Sequence, residues 1–154
     1  MIRRRVESVE KMEQLMPLLR ECLAAGQSIR FFPRGVSMMP MLREGIDSVV
    51  LSPVPERLKK YDLPLYQREN GQYILHRVIS VGENYTCMGD HQFLPETGIH
   101  QSQMLGVVTE FYRGDKKHDV QEPGYRIYCR LWYHTRRVRR FVLRGVNWIR
   151  RHLG

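Results

Sequence analysis

Three side chains in this sequence have the types that acyl transfer needs: a serine, a histidine and an aspartate. Ser37 follows Gly35 by two residues and precedes Pro40 by three, which is typical of a tight turn that presents a hydroxyl. Such a serine is a candidate nucleophile only if a base elsewhere in the chain reaches it. The alternative is a turn serine that caps the short segment 38–42. The residues around Ser37 leave both interpretations open.

The best candidate base is His76, which lies inside a predicted strand at residues 72–81. Strand alternation would place Ile74, His76 and Val78 on one face. A histidine between apolar neighbours is more often a packed core residue than a catalyst, so its position alone assigns no role. Asp90 is the best acidic partner, because it closes a predicted strand and opens an irregular stretch. An aspartate that follows a glycine is also ordinary turn chemistry.

Taken together, these segments resemble the S24/S26 serine peptidases, which include the type I signal peptidases and the self-cleaving LexA-like repressors. The likeness covers residues 28–110 and depends on three motifs: Gly-Val-Ser-Met-Met-Pro-Met-Leu at 35–42, Leu-His-Arg-Val-Ile at 75–79 and Gly-Asp at 89–90. A histidine stands where the bacterial signal peptidases carry a lysine, which implies the Ser-His branch. The lysines of this chain all lie outside the strands around that histidine.

The resemblance implies a role for each matching residue. The catalytic positions would be Ser37 as nucleophile, His76 as general base and Asp90 as the group that fixes the imidazole tautomer. The substrate and oxyanion positions would be Gly35, Val36 and Met38, acting through their backbone. Glu96 lies roughly where the Ser-His branch places a further acidic residue. A strand beside the site would bind the substrate as an added strand.

The activity implied is that of a serine endopeptidase that cleaves a leader or precursor peptide, without metal or cofactor. Family signal peptidases prefer small residues just before the cut. The alternative is a catalytically inactive member that binds an extended peptide and docks on a membrane or partner. Self-cleavage, as in the repressors, is a third hypothesis. The chain departs from the pattern at Gly35, where many bacterial signal peptidases carry a hydroxyl, and we expect it to lack the transmembrane anchor that accompanies them.

The elements that must position these residues are predicted to form a mainly β body of α+β class, similar to the signal peptidase and LexA-like fold. Apolar residues at three- and four-residue steps predict an amphipathic helix at 6–25, weakened at Pro17. Short β-branched and aromatic runs between turn signals predict strands. These are residues 28–33, 47–52, 63–67, 72–81, 85–88, 104–112 and 116–120. Residues 89–102 show no clear period.

The 154 residues are predicted to form a single domain with three parts. Residues 1–27 are the N-terminal helical segment, 28–122 the β peptidase domain and 123–154 a basic amphipathic helix. Three widely spaced cysteines indicate a reducing, intracellular setting rather than a disulfide framework. No apolar run approaches the ~20 residues of a membrane span. We therefore expect a cytoplasmic protein, either in solution or peripheral on the inner face of the cell membrane.

The basic excess belongs to the C-terminal part of the chain. Residues 1–125 hold 16 basic and 16 acidic residues, whereas residues 126–154 hold nine arginines and no acidic residue. The helical period of residues 126–153 favours an amphipathic helix on an anionic membrane surface. It also fits a helix that packs its apolar stripe on the body with solvated arginines. Contact with nucleic acid through the arginines is the least favoured of the three interpretations.

Overall fold

The computed structural model describes residues 12–153 and confirms a mainly β body between an N-terminal helix and C-terminal helices. The helices are α1 (Met12–Ala24), α2 (Pro123–His134) and α3 (Arg136–Leu153). A short 3-10 helix occupies Gln101–Gln103. The first part of the predicted helix at 6–25 lies outside the described residues. The class is therefore α+β, as the strand and helix patterns predict.

The strands of the described chain form two antiparallel sheets. In chain order they are β1 (Ile29–Phe31), β2 (Ser48–Ser52), β3 (Pro64–Gln67), β4 (Tyr73–Leu75), β5 (Arg77–Val81), β6 (Tyr85–Met88), β7 (Glu96–Ile99), β8 (Met104–Arg113) and β9 (Lys116–Asp119). The larger sheet has the order β1-β2-β8-β3-β4, with β9 also paired to β8. The smaller sheet has the order β5-β6-β7. Strand β4 is therefore a terminal strand of the larger sheet.

The main core lies between α1 and the larger sheet. Leu15, Met16, Leu19 and Leu23 recur at three- and four-residue steps on α1, and all four are buried in this core. The helix continues through Pro17 and ends before Gly26, whose φ of 75° suits a C-terminal glycine. This packing covers one face of the larger sheet.

The prediction of one strand at 72–81 is wrong, because the chain changes sheet at His76. Strand β4 ends at Leu75 in the larger sheet, and β5 begins at Arg77 in the smaller one. Leu75 packs into the main core, whereas Val78 belongs to a second apolar cluster. Alternation along a single strand therefore does not describe His76, which occupies the corner between two cores and is 4% exposed.

Residues 89–102 were expected to be irregular, yet they contain β7 and the start of the short 3-10 helix. Ile99 is the buried residue of β7, and the rest of that strand is exposed or half-buried. A four-residue strand with one buried side chain has too little apolar alternation to be recognised from sequence. Its pairing with β6 gives it its place in the sheet.

The predicted C-terminal helix is two helices that meet at Thr135. α2 packs on the body: Cys129 is buried, and Tyr125 and Tyr128 contact the main core. α3, by contrast, has no buried residue. The body therefore packs against α2 but does not cover the apolar stripe of α3. Within residues 12–153, every helix falls short of the length and apolar character that a membrane span requires.

Candidate active site

Ser37 lies on the turn between β1 and β2, directly after Val36 and the left-handed Gly35, whose φ is 80°. The apolar side chains that follow it, Met38 and Leu42, are buried and fix the turn to the core. Within residues 12–153, the Ser37 hydroxyl makes no hydrogen bond. A serine that capped segment 38–42 would bond backbone N–H groups. The structure thus gives no support to the capping interpretation.

The loop that follows β6 holds this turn from the other side. The backbone N–H of His91 donates to the carbonyl oxygen of Ser37 over 2.9 Å. A Cβ atom on Gly89 would lie 2.6 Å from the same oxygen, closer than non-bonded atoms tolerate. The Gly-Asp motif therefore needs its glycine because two backbone segments approach each other there. This contact fixes the position of Ser37 relative to β6.

Ser37 and His76 line the same pocket, which has a volume of about 100 Å³. Its lining comes from the turn around Ser37 and from β4 with the His76 corner. No hydrogen bond joins the Ser37 hydroxyl to the His76 ring. Such bonds are often long without substrate and shorten in the substrate complex. The structure thus brings nucleophile and base candidates to one cavity.

The His76 ring is oriented by a tyrosine that the sequence analysis missed. Its Nδ1 atom lies 3.5 Å from the Tyr66 hydroxyl, and the two rings meet edge to face. Among residues 12–153, the other ring nitrogen, Nε2, makes no hydrogen bond. Burial lowers the pKa of His76 to about 4, so the ring is neutral at pH 7. A neutral imidazole is the form that accepts a proton from a hydroxyl.

Glu96 is an acidic residue near His76 that is paired with Arg68. Its carboxylate accepts two hydrogen bonds from Nε of Arg68, at 3.0 and 3.1 Å. These bonds lower the pKa of Glu96, which therefore stays ionised. After burial, the charge of Glu96 is the strongest influence on the pKa of His76 and raises it. The structure thus places Glu96 near the proposed base.

The prediction that Asp90 orients the His76 ring is wrong. Its two carboxylate oxygens accept hydrogen bonds from Nε and Nη2 of Arg77, each over 2.8 Å. The Tyr128 hydroxyl donates to Oδ2, also over 2.8 Å. A guanidinium fork matches both oxygens of a carboxylate, which explains why Asp90 pairs with Arg77. Asp90 therefore holds the residue next to His76.

Gly35 is also misassigned as an oxyanion donor. Its backbone N–H donates to Oε1 of Glu44 over 3.0 Å, because the chain folds back at the Gly45 turn. In contrast, the backbone N–H groups of Val36, Ser37 and Met38 have no acceptor among residues 12–153. Those three groups are the ones available to an oxyanion.

The register of the β3–β4 hairpin is the signal that would have revealed Tyr66. The predicted Asn-Gly turn at residues 70–71 does join these strands, and Tyr66 pairs with Ile74. Ile74 precedes His76 by two residues, so the hairpin register places Tyr66 close to the histidine. Applying that register to the predicted strands would have included Tyr66 in the site.

Within the described part of the chain, no group of three or more His, Cys, Asp or Glu side chains is placed to hold a metal ion. Comparison of the sequence and fold with protein-family models, curated proteins and solved structures gives no match.

Proposed function

We propose that the chain is a serine endopeptidase of the S24/S26 type, with Ser37 as nucleophile and His76 as general base. The observation that supports this most directly is the pocket that both side chains line, because it brings an unengaged hydroxyl and a neutral imidazole to one cavity. The family motifs around both residues point to the same chemistry.

The reaction is acyl transfer. Ser37 Oγ bonds to the peptide carbonyl carbon while Nε2 of His76 takes the hydroxyl proton. The oxyanion is held by backbone N–H groups in the Val36–Met38 turn. The C–N bond then breaks, and His76 returns the proton to the leaving amine. Water attacks the acyl-enzyme by the same route and releases the second product.

Tyr66 and Glu96 take the orienting role that the resemblance assigned to Asp90. With Nδ1 protonated and donating to the Tyr66 oxygen, Nε2 of His76 carries the lone pair that takes the Ser37 proton. The Glu96 carboxylate stabilises the imidazolium that forms during the reaction. The observation in favour is that Nδ1 of His76 contacts Tyr66 and that Asp90 is occupied by Arg77.

The free edge of β4 is suited to bind an extended peptide. β4 ends the larger sheet, and its residues line the pocket beside Ser37. A substrate that pairs with this edge as an added strand would present its carbonyl to Ser37. A cavity of ~150 Å³ admits benzene, so a pocket of about 100 Å³ favours a small side chain next to the cleaved bond. We infer a leader or precursor peptide cleaved on the cytoplasmic side.

A fluorophosphonate probe tests the nucleophile. Ser37 Oγ would attack phosphorus and displace fluoride, leaving a stable adduct that peptide mapping locates. We expect one label on Ser37 in the wild type, unchanged in Ser80→Ala, a variant of an exposed serine. The Ser37→Ala variant should take up no label. Equal labelling of Ser37→Ala would overturn the assignment.

The second candidate function is a peptide-binding module without catalysis. It is favoured by the missing hydrogen bond between Ser37 and His76 and by the same free edge of β4. A wild-type chain that takes no label but still binds an extended peptide would establish this alternative. The labelling experiment and a peptide-binding titration therefore separate the two.

The acid limb of the pH profile should reveal the burial of His76. Because burial lowers its pKa to about 4, the ring remains a neutral base well below the ordinary value of 6.5. We expect kcat/KM to be flat from pH 7 to pH 5 and to fall about tenfold per unit below pH 4. The measurement needs a substrate that does not titrate in this range. A midpoint near pH 6.5 would contradict the buried position of the ring.

A further inference from the structure

The two sides of α3 have opposite chemistry. At about 100° per residue, its apolar side chains fill an arc about 160° wide. They are Val138, Phe141, Val142, Val146, Trp148, Ile149 and Leu153. The remaining circumference is occupied mainly by seven arginines, at positions 136, 137, 139, 140, 144, 150 and 151. Leu143 is the apolar side chain on the arginine side.

The apolar arc lies in solvent. Phe141 is 80% exposed, Val138 is 65% exposed and Trp148 is 60% exposed. Since α3 has no buried residue, none of the described body covers this arc. Exposed apolar surface rimmed by polar residues marks an interaction site. The exposed apolar arc is therefore expected to bind a partner.

The first turn of α3 is attached beside the candidate active site. The Arg139 guanidinium lies 3.7 Å from the centre of the Trp132 ring and 5.7 Å from that of Phe93. Trp132 Nε1 in turn donates to the carbonyl oxygen of Asp90 over 2.7 Å. Asp90 and His91 are adjacent in the loop after β6, and the His91 N–H holds Ser37. The start of α3 therefore packs on α2 next to the loop that holds the serine.

The positions of the arginines on α3 argue against two kinds of partner, a second copy of the helix and a nucleic acid. Arginines border the apolar arc on both sides, with Arg137 beside Trp148 and Arg139 beside Val146. Pairing two copies of the arc would bring these arginines against each other without any acidic residue of α3 to neutralise them. A nucleic acid would contact the arginines and leave the apolar arc in water.

We propose that α3 docks on an anionic membrane surface. An anionic bilayer would receive the apolar arc at the boundary of headgroups and acyl chains, while its phosphates pair with the arginines. A helix of 18 residues, about 27 Å long, would lie in the plane of this surface. This docking does not depend on the chemistry of Ser37.

Co-sedimentation of the full chain with vesicles tests the proposal. We expect binding to vesicles of phosphatidylcholine with about one quarter phosphatidylglycerol, at least about tenfold weaker binding to phosphatidylcholine alone, and weakening with salt. The Ser37→Ala variant should bind like the wild type, so failure of docking and failure of the peptidase assignment are distinguishable. No sedimentation with the anionic vesicles would overturn the proposal.

Two isomeric side chains on opposite sides of α3 provide a matched pair. Ile149→Asn removes an apolar side chain from the middle of the arc, and Leu143→Asn removes one from the arginine side. Both positions are about half exposed, so the fold should not change. We expect Ile149→Asn to weaken vesicle binding about tenfold and Leu143→Asn less than about twofold. Equal losses, or a solution dimer that Ile149→Asn dissociates, would overturn the proposal.

Discussion

Replacing His76 by glutamine is expected to lower kcat for peptide cleavage by about 10³-fold or more. Glutamine is of similar size and can still hydrogen-bond the Tyr66 hydroxyl, but it cannot take the proton of Ser37. KM should change little, because His76 acts on the transferred proton rather than on the bound peptide. Steady-state kinetics on a peptide with a small residue before the cut would measure both constants.

His91 supplies the matched control for that variant. It is an exposed histidine in the loop that holds Ser37, and its contact with Ser37 is through the backbone. We therefore expect His91→Gln to retain kcat within about twofold. If instead His91→Gln were inactive and His76→Gln active, the base would be His91. Full activity in both variants would remove histidine from the mechanism.

Replacing Arg77 by methionine is expected to lower the free energy of unfolding by about 3–5 kcal/mol. Arg77 and Asp90 are each 3% exposed at their side chains. Loss of the guanidinium leaves the Asp90 carboxylate buried without its counter-charge. It also removes hydrogen bonds to the carbonyl of Tyr61 and the hydroxyl of Tyr125. Urea unfolding monitored by tryptophan fluorescence would measure the change.

A second arginine pair shows whether burial is the cause. Arg68 also makes a forked contact to a carboxylate, that of Glu96, but these side chains are 34% and 28% exposed. Because solvent screens this pair, Arg68→Met should cost at most about 1 kcal/mol. The double variant Arg77→Met with Asp90→Leu should cost less than Arg77→Met alone, since no buried charge is left. Equal costs for Arg77→Met and Arg68→Met would contradict this explanation.

Much of the fold follows from local patterns in the sequence. The turn at Gly71 predicts the β3–β4 hairpin, which is confirmed, and the predicted strand 85–88 coincides with β6. In these segments the local signals and the tertiary structure agree. That Ser37 and His76 belong to one site could be predicted only from the family motifs, because the spacing of the two residues in the sequence does not indicate that they are close.

Local sequence patterns could not predict which residues pair with the charged side chains of the site. An arginine in a strand is expected to face solvent, yet Arg77 is buried because Asp90 receives it on one side and α2 on the other. Such a partner is fixed by sheet pairing between β5 and β6 and by a helix about fifty positions away. No periodicity near Arg77 carries that information. The motif pair His76 and Asp90 therefore suggested a direct contact that the structure does not contain.

The peptide unit between Asp90 and His91 is hydrogen-bonded from two directions. Its N–H reaches back to the carbonyl of Ser37, and its C=O receives the indole N–H of Trp132. The serine turn and α2 are thus joined through a single amide plane. A chain cut before Pro123 would lose Trp132, which donates to the Asp90 carbonyl. It would also expose the ion pair of Arg77 and Asp90, because Tyr125 and Tyr128 of α2 cover that pair. α2 is accordingly part of the frame that holds the serine, and a shortened protein that preserves this frame must keep the chain as far as His134.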